Sequence, residues 1–97
     1  MNRIQEIFNL HEGEYLEFNR VRCKRSRRPD VHAFMLLDGI LTPVDGRAII
    51  CHSTHDEICL DVDLEELAKY ATEEQLIELH RCGVRYSTDH DCLAMFV

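Results

Sequence analysis

Ninety-seven residues, 45% hydrophobic and 30% charged with a formal net charge of −7, fit one folded domain and exclude a disordered chain. No apolar run approaches the roughly 20 residues that cross a bilayer, and the charged N-terminus MNRIQEIFNLHEGEYLE excludes a secretory signal. Five cysteines at no familiar scaffold spacing point to a reducing, cytoplasmic setting, where Cys serves mainly as a small core hydrophobe.

Residues 2–11 place Ile4, Ile7, Phe8 and His11 at helical spacing, with Gly13 positioned to end the turn. Over 14–23, Leu16 and Phe18 alternate with Glu17 and Asn19, which predicts a half-buried strand. The apolar run VHAFMLL (31–37) is of strand length. Paired as a hairpin, the two segments would carry KRSRRPD (24–30) at an exposed tip. A rival reading makes 30–38 a helix ending at Gly39. Asp38-Gly39 and Asp45-Gly46 are turn dipeptides flanking ILTPV.

Strands are expected over 47–52 and 57–62, with Ile58, Leu60 and Val62 inward and Glu57, Cys59 and Asp61 outward. Asp63 to Glu66 and Thr72 to Gln75 each have the form of a capping box opening a helix. The first helix buries Leu64, Leu67, Ala68 and Ala71. The second buries Leu76, Ile77, Leu79 and His80 and closes at Gly83. Residues 84–87 and 92–97 form a hairpin around TDHD. The expected architecture is α+β, an antiparallel sheet of five or six strands built from hairpins, with about three short helices packed on one face. The final CLAMFV is apolar on both strand faces: Leu93, Met95 and Val97 on one, Cys92, Ala94 and Phe96 on the other. One face would lie under helices, and the other, with Phe96, would meet a second copy of the chain or a partner.

Charge is divided unevenly. Residues 1–30 hold seven basic and five acidic residues, net +2, whereas 31–97 hold four basic and thirteen acidic, net −9. Asp56, Glu57, Asp61, Asp63, Glu65, Glu66, Glu73, Glu74 and Glu78 fall within 23 residues, opposed only by Lys69. The basic charge gathers in RVRCKRSRR, as Arg20, Arg22, Lys24, Arg25, Arg27 and Arg28. No aromatic residue interleaves with these cations to stack bases.

No phosphate-cradling glycine loop occurs, since the four glycines stand apart at 13, 39, 46 and 83. Cys92 beside His90 and Asp91 offers the residue types of a nucleophile and base, but strand neighbours diverge and cannot converge on one substrate. Paired Glu residues on a helix diverge likewise. An enzyme is therefore not expected. Cys51, His52, His55 and Cys59 offer two thiols and two imidazoles within nine residues, at none of the spacings of a zinc finger or ribbon. No cofactor is expected.

The reading that follows is a small, acidic, non-enzymatic protein-binding module whose acidic face meets a basic partner surface. By analogy, carboxylates occupying a groove built for phosphates suit a phage or mobile-element inhibitor of the anti-CRISPR or anti-restriction type. The alternative is a nucleic-acid-binding module using the 20–28 loop. A second alternative is an adaptor stabilised by zinc on Cys51, His52, His55 and Cys59.

Overall fold

The computed structural model describes residues 3–22, 24–41, 48–88 and 91–96. In chain order, helix α1 (Arg3–Leu10) leads through two short 3-10 turns, Glu12–Glu14 and Phe18–Arg20, to α2 (Pro29–Ile40). Strands β1 (Ile50–Ser53) and β2 (Glu57–Leu60) follow, then α3 (Leu64–Tyr70), α4 (Glu73–Arg81), β3 (Arg85–Ser87) and β4 (Cys92–Phe96). The strands form one antiparallel sheet in the order β1-β2-β4-β3. The α+β class stands as expected, while the counts are corrected to four strands and four α-helices among the described residues. No described helix is long and apolar enough to cross a membrane. The turn dipeptide Asp45-Gly46 and the start of the 47–52 strand at Arg47 lie outside the described residues.

Both missing strands were expected between 14 and 38, and each failed for a physical reason. The run VHAFMLL is helical in α2. Pro29 occupies the first turn, where its fixed φ suits a helix and its missing N–H would be an orphan in any case. Arg28 before it is extended at φ −99° and ψ 121°, as a residue preceding proline must be. His32, Ala33, Leu36 and Leu37 then recur one turn apart and are buried. Phe34 and Ile40 also pack against the core, so the segment is apolar nearly all round and its helical period is hidden.

The 14–23 segment finds its partners on α4 instead of on a strand. The Leu16 N–H donates to the His80 carbonyl at 3.1 Å, and Leu16 takes a φ of +62°. Its side chain lies against Gly83, where an added Cβ would meet Leu16 Cδ2 at 2.7 Å. Gly83 has a φ of +97° and so serves both the turn that ends α4 and this close approach.

All four α-helices contribute to one core. Ile4, Ile7 and Phe8 of α1, Leu36 and Leu37 of α2, Leu67 of α3 and Leu76 and Leu79 of α4 pack with Leu60, Leu93 and Met95. Cross-strand pairing of Leu60 with Leu93 and of Ile58 with Met95 puts these residues on the helix side of the sheet. Arg3 latches α1 to α3 by donating from Nη1 to the carbonyls of Ala68 and Ala71, which satisfies acceptors at the end of that helix.

Within CLAMFV, Cys92–Phe96 forms a central strand, β4, between β2 and β3; Val97 lies outside the described residues. The opposite sheet face carries Glu57, Cys59, Arg85, Ser87, Cys92, Ala94 and Phe96, as the register requires. Arg85 forms an ion pair with Glu57, and its guanidinium sits 4.2 Å from the Phe96 ring centroid. With this cover, Ala94 is 0% and Cys59 3% exposed, while Phe96 remains 58% exposed. The small side chains of this face are therefore covered by their own neighbours, whereas Phe96 is not.

Candidate functional site

The nine carboxylates are distributed over three elements. Asp56 sits in the β1–β2 turn, Glu57 on β2 and Asp61 just beyond it. Asp63, Glu65 and Glu66 open α3, and Glu73, Glu74 and Glu78 belong to α4. Among the described residues, three of them contact an arginine or histidine side chain elsewhere in the chain. Glu57 binds Arg85, Glu73 lies 3.2 Å from His11 Nε2, and Glu78 lies 3.0 Å from His32 Nε2. Asp63 caps α3, accepting from the Glu65 and Glu66 N–H groups at 3.0 and 3.2 Å. The reciprocal bond expected from Glu66 does not form. Asp56, Asp63, Glu65, Glu66, Glu73 and Glu74 are exposed. Lys69, the single cation of this stretch, lies 5.3 Å from the Tyr70 ring.

The first turns of α3 and α4 hold these carboxylates for a local reason. Anionic side chains are favoured where helix N–H groups point outward. Thr72 completes a reciprocal box with Gln75, with bonds of 3.1 and 2.9 Å. Asp63, Glu65, Glu66, Glu73 and Glu74 therefore stand on capped helix starts, whereas Asp56 stands in a turn.

The basic loop is ordered from beneath. His32, 1% exposed, accepts the Arg25 backbone N–H at Nδ1 over 3.1 Å. That leaves the proton on Nε2, which donates to Glu78. One imidazole thus ties the loop to both α2 and α4. Sequence reasoning missed this residue, because a histidine inside an apolar run carries no signal of what it bonds. Arg20 is diverted from the loop to Glu14 at 2.6 Å, and Arg81 reaches the same carboxylate at 2.7 Å. Arg81's hydrogen bond, foremost, holds the Glu14 carboxyl below its ordinary value. Arg22, Lys24, Arg25, Arg27 and Arg28 are exposed, and none forms an ion pair among the described residues. Lys24 lies 5.1 Å from the Phe18 ring.

Cys51, His52, His55 and Cys59 do not converge as ligands. Among the described residues, no group of three or more His, Cys, Asp or Glu side chains is placed to hold a metal ion. His90 lies outside the described residues, and Asp91 accepts the Tyr86 hydroxyl. Burial pushes the Cys82 thiol up to about 12, which marks a structural cysteine rather than a nucleophile. The register brings Cys92 beside Cys59 on the outer sheet face, a proximity hidden in the sequence until the β2–β4 pairing is known. Comparison of the chain with protein-family models, curated proteins and solved structures finds no match.

Proposed function

We propose that this chain is a non-enzymatic binding module that presents the carboxylates of the β1–β2 turn, α3 and α4 to a basic protein surface built to hold phosphates. One observation carries the reading: six exposed carboxylates, Asp56, Asp63, Glu65, Glu66, Glu73 and Glu74, lie along consecutive elements with Lys69 as the only cation of the stretch. Exposed charge predominantly of one sign steers association with a complementary surface and repels nucleic acid. Capped helix starts hold the carboxylates without a large ordering cost on binding. A groove that grips a nucleic-acid backbone is the protein surface best matched to such an array. The biological class that fits is an inhibitor of the anti-CRISPR or anti-restriction type.

The test is DNA cleavage by a panel of RNA-guided and restriction nucleases, with and without the protein. The wild type is expected to inhibit a member of the panel, less strongly as salt rises. A variant combining Glu65→Lys, Glu66→Lys and Glu74→Lys, which spares the capping side chains, is expected to lose inhibition while keeping its melting temperature. Inhibition unchanged in that variant, or inhibition of no panel member, overturns the reading.

The loop supports a second reading. Five exposed cations at Arg22, Lys24, Arg25, Arg27 and Arg28 sit at the positive end of α2, in the manner of a phosphate-contacting loop. Retardation of DNA or RNA at moderate salt, lost in a triple Arg25→Glu, Arg27→Glu, Arg28→Glu variant, would establish it in place of the first.

A further inference from the structure

The outer face of the sheet gathers three of the five cysteines, and neither functional reading uses them. β2 and β4 pair with Cys59 opposite Ala94 and Leu60 opposite Leu93. Cys92 therefore stands two residues from Cys59's partner, on the same face of the adjacent strand. On that shared face the two thiols lie near enough to act on each other. The pairing of β1 with β2 slips between Ile50 and His52, which makes Cys51 an extra residue, a bulge. Its thiol lies 3.5 Å from the Cys59 carbonyl oxygen. Cys51 is exposed, Cys92 half-buried and Cys59 buried, so the group runs from the surface inward.

We propose that Cys59 and Cys92 form a two-coordinate site for a soft monovalent cation of the copper(I) class, with Cys51 at its solvent rim. Soft thiolates select such cations, and a linear pair needs only two of them. A tetrahedral zinc site would need four ligands, and among the described residues no such group is assembled. On binding, two S–H bonds break and two metal–sulfur bonds form. Two protons leave to solvent, and no electron is transferred. The thiol pair plus cation becomes a site of charge −1.

One further observation fits an anionic bis-thiolate there: the Arg85 Nε–H is buried with no acceptor, a state that costs free energy unless something accepts it. Because the cation displaces two thiol protons, affinity is expected to fall as pH falls and protons compete.

This inference is independent of the acidic surface, and its test is separate. The reduced full-length chain is titrated under argon with copper(I) held by a chromogenic copper(I) chelator, and with silver(I) as a redox-inert surrogate. Native mass spectrometry and the near-ultraviolet thiolate–metal absorption are the readouts. The wild type is expected to retain one copper per chain. Cys59→Ala and Cys92→Ser, each checked for a native circular dichroism spectrum, are expected to lower affinity by at least about tenfold, as loss of a key metal contact does. Cys51→Ser is expected to keep the stoichiometry of one. No retention against the chelator, retention unchanged in both inner variants, or displacement by an equal concentration of zinc overturns the proposal.

Discussion

His80 is buried with its ring stacked on Phe8 at 4.6 Å and tilted against Tyr15 at 5.1 Å. Nδ1 lies 2.9 Å from the Val84 carbonyl oxygen, so Nδ1 carries the proton and donates. Burial lowers its pKa below the ordinary 6.5, against the smaller raising effect of that hydrogen bond. The folded state therefore binds a proton less readily than the unfolded chain. Its contribution is present above pH 6.5 and is lost as pH falls through the depressed folded value. Melting temperature is expected to drop between pH 7 and pH 5 in the wild type, and less steeply in His80→Gln. Equal slopes in the two would remove His80 as the cause. A second acid-driven loss, from Glu14 held low by Arg81, belongs below pH 4.5 and is thereby separable.

Among the elements, the two consecutive helices α3 and α4 are too short to be stable alone, and their caps do much of the work of starting them. Asp63 accepts two N–H groups, and Thr72 and Gln75 close a reciprocal box. Asp63→Ala and Thr72→Ala are each expected to cost about 1 kcal/mol in urea unfolding. Asp63→Asn is expected to cost only a few tenths, since asparagine caps about as well. A cost for Asn equal to that for Ala would show that charge matters here more than the hydrogen bonds. The contrast with α2 is instructive. α3 and α4 carry polar caps and one-sided apolar stripes that announce them in sequence. α2 begins at an uncapped Arg28 and is apolar on most sides, so its length-seven run reads equally as strand.

For the molecule as a whole, the outer sheet face decides whether the chain needs company. Cross-strand pairing sets Phe96 opposite Glu57, with Arg85 between them as ion pair and ring contact. Phe96→Asp would remove a cation–π contact worth roughly 0.5–1 kcal/mol at an exposed site and set two carboxylates opposite each other. The expected outcome is a retained fold, a melting temperature lower by a few degrees, and a light-scattering mass equal to that of the wild type. A wild-type dimer dissociated by this substitution would instead establish the second copy as the cover of this face.

The sequence by itself determined the α+β class, both hairpins, the helices α1, α3 and α4, and the division of charge into a basic loop and an acidic body. Each rests on local chemistry: period-two alternation at Ile58 and Leu60, caps at Asp63 and Thr72, a stop at Gly83. Tertiary structure alone decided the rest. Leu16 and Phe18 alternate as a strand would, yet among the described residues no strand pairs with them, and the segment folds against α4 and Gly83. VHAFMLL became a helix that buries His32, Ala33, Leu36 and Leu37 against the core and leaves Met35 exposed, instead of a strand paired at an edge. The acidic residues could be counted in sequence. Which of them would meet Arg85, His11 and His32 depended on contacts 28 to 62 residues distant, and such pairings leave no local trace.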